Sequence, residues 1–114
     1  MKKHNWSIIE RYCKNRGLTL EKEYKYVPGR KFKADGAILE LRILIEVDGG
    51  IFTGRAHGSI SGIKNDMERC NQATLNGWMR FRYTPQQFGK GQPIIDINKF
   101  INNRNIRDNW GEGG

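Results

Sequence analysis

Three carboxylates in two adjoining apolar segments are the residues of this sequence best suited to chemistry. Glu46 and Asp48 lie close together at the end of ILIEVD, and Asp35 lies in the preceding KADGAILE. Side chains alternate along a strand, so Glu46 and Asp48 share a face. If 31–39 and 42–48 pair as a hairpin symmetric about Glu40-Leu41, Asp35 faces Glu46 with Cβ atoms roughly 5 Å apart. The spacing therefore predicts three carboxyl groups on one small patch of sheet.

Such a patch requires positive charge. Like charges that face each other destabilise a strand pair, and burial strengthens the repulsion because it lowers the local dielectric constant. A divalent cation removes the conflict: carboxylate oxygens, a backbone carbonyl and waters suit Mg²⁺, and a bound ion can activate water against a phosphodiester. The alternative is a surface hairpin whose carboxylates pair with Arg42, Lys31 or Lys33.

The flanking elements would hold this patch in a single α/β domain. Hydrophobic spacing predicts a helix over 5–16 that ends at Gly17, strands over 21–27, 31–39 and 42–48, and a glycine-rich loop after Asp48. A helix over about 60–76 ends at Gly77, and WMRFRY forms a further strand that Thr84-Pro85 closes. A last helix covers about 93–104. We expect a central mixed sheet of about four strands flanked by helices, with 105–114 as a flexible tail.

Two helical stripes are predicted to be buried. In the first helix the stripe holds Trp6, Ile9 and Cys13, and in the helix over 60–76 it consists of apolar or weakly polar residues: Ile60, Ile63, Met67, Cys70 and Thr74. Cys13 and Cys70 are therefore expected to be buried free thiols, and two cysteines without a nearby pair of histidines disfavour a structural zinc site.

Composition favours a polyanionic partner. The chain has 114 residues and a formal net charge of +8, spread along its whole length. This surplus indicates nucleic acid before anionic membrane, although basic proteins also use charge for solubility alone. No apolar run reaches the roughly 20 residues of a membrane span, and MKKHNW lacks the apolar core of a signal peptide. We expect a cytoplasmic protein, in a reducing compartment, that does not enter membranes.

A family resemblance adds to this interpretation. The order D-x(10)-E-V-D, then GG, a His, K-x-D-x-E-x-x-N and a GW-x-x-x-R strand resembles small phage and bacterial nucleases of the PD-(D/E)XK superfamily. It is more remotely similar to very-short-patch repair endonucleases. The motifs run from Lys33 to Pro85, and with the first helix the resemblance covers roughly three quarters of the chain. It implies a restriction-endonuclease-like core that hydrolyses DNA with Mg²⁺, or with Mn²⁺ as a substitute.

The resemblance also implies roles for individual residues. Asp35 and Glu46 become acidic metal ligands, and Val47 lends its carbonyl oxygen to the ion. The superfamily pattern places a lysine where this chain has Asp48, and that lysine steadies the attacking water or the developing charge. Either Asp48 is a further ligand that invites a second metal, or Lys64 on the following helix supplies the missing charge. Lys64 is also spaced to form an exposed helical ion pair with Glu68.

Four further residues are candidate contacts to DNA, and one more is a candidate ligand. His57 lies between glycines in the loop, where it could contact the scissile phosphate or transfer a proton. Arg55, Arg80 and Arg82 are candidate phosphate contacts, with solvated basic surface as the alternative. Glu10 on the first helix is placed where relatives often supply a further carboxylate.

Three functions follow from these observations. The first is a magnesium-dependent endonuclease that cleaves DNA without a covalent intermediate, in phage DNA processing, repair or recombination. A homodimer would suit cleavage of both strands, although one site suffices for nicking. The second is a nucleic-acid-binding module that keeps the fold without the chemistry, as the missing lysine suggests. The third is a small structural protein whose basic surface serves solubility.

Overall fold

The computed structural model describes residues 4–48 and 60–113, with side chains up to Arg104. Helices and strands follow one another along the chain as α1 (Ser7–Asn15), β1 (Leu20–Lys25), β2 (Lys33–Ile38), β3 (Ile43–Val47), α2 (Ile60–Leu75), β4 (Met79–Tyr83), α3 (Pro85–Gly89) and α4 (Gln92–Gly113). None of the helices within the described ranges is both long and apolar enough to cross a membrane.

The four strands form one mixed sheet in the order β1-β2-β3-β4. The first three run antiparallel, and β4 lies parallel to β3 after the crossover through α2. Gly36 pairs with Ile45 and Ile38 with Ile43, so the β2–β3 hairpin has the register predicted from its symmetry about Glu40-Leu41. The prediction of an α/β fold with a four-stranded mixed sheet between helices is confirmed.

We call the side of the sheet that contacts α1, α3 and α4 the apolar face. Its buried cluster draws one or more residues from each of these helices and from three strands: Ile9, Cys13, Ile38, Ile43, Ile45, Tyr83, Phe88 and Ile97. Trp6 covers Gly36 so closely that a Cβ atom at position 36 would lie 2.6 Å from Trp6 Cζ3. The lack of a side chain at Gly36 is therefore what lets the indole reach the sheet.

We call the opposite side, which contacts α2, the charged face. Its apolar cluster is built largely from alanines and aromatic rings: Tyr26, Val27, Ala34, Ala37, Leu44, Ala73 and Trp78. Glu46 is buried on this face beside the cluster. β3 contributes fully buried residues to both faces, as expected of a central strand.

Two glycines end helices at the predicted positions. Gly17 and Gly77 have φ values of 68° and 80°, in the left-handed region that glycine adopts without a steric penalty. After α2, the amides of Gly77 and Trp78 donate to the carbonyls of Thr74 and Ala73, at 3.0 and 2.8 Å. This pattern is a Schellman motif. It turns the chain directly from α2 into β4.

The predicted buried stripe of α2 is wrong. Ile60 and Met67 are 71% and 61% exposed, Ile63 is exposed, and Cys70 is an exposed free thiol. The helix instead turns a polar and small face to the sheet, made of Gly62, Asp66, Arg69 and Ala73. Apolar spacing fails here because ion pairs between α2 and β4, described below, set the rotation of the helix. Cys13 is buried as predicted.

The C-terminal part is more helical than predicted. Thr84 and Pro85 end β4 as expected, but they also begin α3: the Thr84 hydroxyl accepts from the Gln87 amide, and the Gln87 side chain accepts from the Thr84 amide. This capping box was missed. α4 begins near the predicted position and continues to Gly113, so the expected tail is helical through residue 113. Its flexibility stays a prediction.

Candidate functional site

Asp35 lies in the first half of β2, next to the end of β3. Its Oδ2 atom accepts a hydrogen bond of 2.7 Å from the backbone N–H of Val47. Burial raises the pKa of Asp35; the Val47 N–H acts against this shift, and the charges of Glu46, Glu23 and Asp48 add to it. The predicted crowding of Asp35, Glu46 and Asp48 is thus visible in the electrostatics of the site.

Glu46 is the most deeply buried of the carboxylates, at 6% exposed. Arg80 binds it through two nitrogens: Nε lies 2.5 Å from Oε2 and Nη2 lies 3.2 Å from Oε1. The Arg80 side chain is itself 7% exposed, so the ion pair is held away from water. Burial acts to lower the pKa of Arg80, but the Glu46 and Asp66 carboxylates raise it above its usual value.

A second arginine and a fourth carboxylate extend this pair into a network. Arg82 Nε lies 2.5 Å from Asp48 Oδ2, and Arg82 Nη1 lies 3.1 Å from Asp66 Oδ2. Asp66 also receives Arg80 Nη2 at 3.3 Å. Burial acts to raise the pKa of Asp66, but the two guanidinium groups lower it below its usual value. Asp66 therefore joins both arginines from the side of α2.

The parallel pairing of β3 and β4 explains why these charges meet. Leu44 pairs with Arg80 and Glu46 with Arg82, so both arginines lie on the same face as Glu46. α2 covers that face and brings Asp66 into contact with both arginines. Sequence analysis placed both arginines on one face of a strand but assigned them to DNA phosphates. The structure instead pairs both with carboxylates, and this places Arg80 inside the protein.

Two charged residues of the site were missed by sequence analysis. Asp66 belongs to K-x-D-x-E-x-x-N, but the apolar stripe of α2 predicted that it would point outward. Glu23 lies between Lys22 and Tyr24, whose partners Gly36 and Ala34 flank Asp35, and Glu23 has a φ of 53°. The signal that could have identified Asp66 is the small and polar stripe formed with Gly62, Arg69 and Ala73 at helical spacing.

Lys64 is not brought to the network. It is exposed and lies two positions before Asp66, a rotation of about 200° on a helix. Asp66 faces the sheet, so Lys64 lies on the outward side of α2. Glu68, its expected ion-pair partner, instead lies 3.0 Å from Arg30.

The other predicted site residues have different placements. Glu10 pairs with Lys22 at 3.2 Å on α1, which packs against the apolar face and not against the carboxylates. His57 and Arg55 lie outside the described residues. Val47 ends β3, where its amide donates to Asp35.

The donor set fits a magnesium ion in its chemistry. A carboxylate has about four lone-pair positions, so Glu46 can accept two bonds from Arg80 and still offer an oxygen to a cation. The side chains are not assembled around an ion, however: within residues 4–48 and 60–104, no group of three or more His, Cys, Asp or Glu residues is placed to hold a metal. Asp35 and Glu46, with Asp48 beside them, are the residues that would hold one.

The arginines partly supply the positive charge that the sequence led us to expect from a metal. In the part of the chain that the structure describes, the network and Asp35 together hold four carboxylates against two guanidinium groups. An excess of negative charge therefore remains at the edge where Asp35 lies.

Comparisons of the chain with protein-family models, with curated proteins and with solved structures find no match.

Proposed function

We propose that the protein is a magnesium-dependent endonuclease that hydrolyses DNA phosphodiester bonds, with a PD-(D/E)XK-like core. The observation that carries the proposal is the hairpin register: extended one position beyond the Gly36–Ile45 pair, it makes Asp35 and Glu46 facing positions of β2 and β3. The order α1-β1-β2-β3-α2-β4, with β4 parallel to β3, also supports the resemblance stated above. The net charge of +8 supports DNA as the partner.

In this proposal the residues of the chain have two roles, metal binding and positioning of the metal ligands. A bound Mg²⁺ supplies Lewis-acid activation of water and neutralises charge on phosphorus. Asp35 and Glu46 would hold the ion, with Asp48 and the Val47 carbonyl oxygen as further ligands. Arg80 fixes the orientation of Glu46 by its two-point contact. Arg82 holds Asp48 and occupies the neighbourhood where the resemblance expects a lysine.

The test is metal-dependent cleavage by matched variants. Purified protein is incubated with supercoiled, single-stranded, branched and mismatched DNA in Mg²⁺, Mn²⁺ or EDTA. We expect cleavage with either metal, and its loss in Asp35→Asn and Glu46→Gln while DNA binding persists. The control is Glu68→Gln, which also removes a carboxylate paired with an arginine but lies on the exposed side of α2. If the wild-type protein leaves every substrate intact with both metals, the endonuclease proposal is wrong.

A second candidate function is a nucleic-acid-binding module without catalysis. The buried Glu46–Arg80 pair favours it, because Arg80 already neutralises the carboxylate that the metal would need. The outward position of Lys64 favours it as well, since no lysine of the described residues is brought to the network. This candidate predicts salt-dependent DNA binding that is the same in Mg²⁺ and EDTA and is accompanied by no cleavage.

A further inference from the structure

A basic groove lies between the β1–β2 connection and the C-terminal end of α2. It has a volume of about 570 Å³. Four cationic residues line it: Lys25, Arg30, Lys31 and Arg42. No carboxylate lines it among the described residues. The groove therefore has a different charge from the carboxylate network on the same side of the sheet.

The backbone holds two of these cations on a tight turn. Val27-Pro28-Gly29-Arg30 closes with a 3.2 Å hydrogen bond from the Arg30 amide to the Val27 carbonyl, and Gly29 has a φ of 77°. Proline followed by a glycine of positive φ is the arrangement of a type II turn. Arg30 and Lys31 leave this turn on the return path, and Lys25 precedes it at the end of β1. The cations are thus presented on both sides of a short, defined turn.

Aromatic rings form part of the opposite wall. The Arg42 guanidinium lies 4.1 Å from the centroid of Trp78, and the Tyr24 ring lies 5.3 Å from the same indole. Arg42 also donates to the carbonyls of Asn76 and Gly77 at the end of α2. These contacts fix the position of Arg42 and leave its charge in place, because carbonyl groups are neutral. Of the four cations, Arg30 has a carboxylate partner in Glu68.

We propose that this groove binds the phosphate backbone of a nucleic-acid strand, apart from the carboxylate network. Clustered cations without carboxylates suit consecutive phosphates. Trp78 is buried beneath Arg42, so the half-buried Tyr24 ring is the aromatic group that suits a sugar or base between the phosphates. An acidic peptide would use the same charges without this ring. The assignment rests on the nucleic-acid partner of the proposed function and is independent of cleavage. It gives the substrate a binding surface that survives loss of the metal ligands.

The test compares two double variants with the same net charge. Lys25→Gln/Lys31→Gln removes two exposed cations from the groove, and Lys14→Gln/Lys99→Gln removes two exposed cations from α1 and α4. Binding of a labelled DNA duplex is measured by fluorescence anisotropy in EDTA over a range of salt. We expect the affinity of the groove variant to fall about tenfold at 100 mM salt. Because two phosphate contacts are lost, the slope of log K against log salt should become less steep by about 1.8. The control variant should stay close to wild type.

Several outcomes would overturn the assignment. Equal losses in the two variants would mean that binding depends on net charge and not on the groove. A labelled poly-glutamate peptide that binds as tightly as DNA, and loses affinity equally in the groove variant, would assign the groove to acidic protein segments. Selective loss in a protein that never cuts DNA would support the groove and reject the endonuclease. Cleavage by wild type with no selective loss would reject the groove alone.

Discussion

The two faces of the sheet are stabilised in different ways. On the apolar face, three helices bury aliphatic and aromatic side chains against Ile38, Ile43 and Ile45, all fully buried. On the charged face, one helix packs through Ala73 and through ion pairs between Asp66 and two arginines, while Ile60 and Met67 remain exposed. Apolar burial dominates one face, and specific charge placement sets the position of the helix on the other.

The difference shows where this fold can accommodate chemistry. Apolar packing is non-directional and tolerates few polar groups, since burying them without partners is costly. A network of paired charges fixes directions and leaves carboxylate oxygens near solvent at its edge, where Asp35 is half-buried. The apolar face therefore supplies stability, and the charged face holds the candidate ligands.

The largest expected effect comes from breaking the buried pair on the charged face. Arg80→Met leaves the Glu46 carboxylate buried without its partner, and we expect a loss of about 3–5 kcal/mol in the free energy of unfolding. The double variant Glu46→Leu/Arg80→Met should recover most of that loss. Arg82→Met, at a more exposed pair, should cost about 0–1 kcal/mol. Urea denaturation measures all three, and a loss below about 1 kcal/mol for Arg80→Met would contradict the structural importance of the pair.

The next effect tests the apolar face against the exposed stripe of α2. Ile45→Ala empties a fully buried position and should cost about 2–5 kcal/mol. Met67→Ala, at an exposed position, should change the free energy of unfolding by less than about 0.5 kcal/mol. Thermal and urea unfolding give both values. A loss above about 2 kcal/mol for Met67→Ala would show that this stripe is covered in solution.

Magnesium should stabilise the charged face through Asp35. At a metal concentration ten times the Kd, binding adds about 1.4 kcal/mol to the free energy of unfolding. We expect Mg²⁺ to raise the Tm of wild type and to leave Asp35→Asn unchanged, as followed by scanning fluorimetry. Sodium chloride at the same ionic strength and Glu68→Gln serve as controls for screening and for general loss of a carboxylate. An equal Mg²⁺ response in Asp35→Asn would remove Asp35 from the ligand set.

Without metal, Asp35→Asn should raise the Tm relative to the wild-type protein. The pKa of Asp35 is raised in the folded state, so its ionisation costs stability above that folded pKa. In EDTA at pH 7 we therefore expect Asp35→Asn to have a higher Tm than wild type. The gain should shrink as the pH falls through the folded pKa toward the unfolded value of about 3.9. A gain that does not change with pH would mean that packing, and not charge, is its cause.

The smallest effect distinguishes the two cysteines. Burial, with a contribution from Glu40, raises the pKa of Cys13 to about 11, whereas Cys70 is exposed on α2. A thiol reagent should therefore modify one cysteine rapidly in the native protein and the second only after denaturation. Cys70→Ser should abolish the rapid reaction. Rapid modification in that variant would place Cys13 at the surface and contradict the packing of the apolar face.

Local patterns were sufficient to predict most of the scaffold. Gly17 and Gly77 end helices because only glycine adopts their φ values without strain, and the hairpin register follows from the period of two along its strands. The burial of α2 could not be predicted in this way. Its rotation depends on Arg80 and Arg82, which are distant in sequence from the stripe that periodicity identifies, so a non-local ion-pair network overrides the local hydrophobic pattern.

The candidate site was predictable to the same extent. Strand alternation and hairpin symmetry were enough to predict that Asp35 and Glu46 face each other, without information on the neighbouring strands and helices. The partners of these carboxylates were not predictable, because the placement of Arg80 and Arg82 beside Glu46 depends on which strand lies next to β3 and in which direction it runs. That information is in the topology of the sheet. No spacing within the β2–β3 segment contains it.

The abrupt stop of α2 at Gly77 has a consequence for the evolution of the site. The Trp78 amide donates a hydrogen bond to the Ala73 carbonyl directly after Gly77, so no loop residues separate α2 from β4 beyond this turn. A single inserted codon between Gly77 and Arg80 would exchange the two sides of β4 and carry Phe81 and Tyr83 to the carboxylates, while both arginines entered the aliphatic core. Lineages of this protein should therefore keep the length of this joint unchanged.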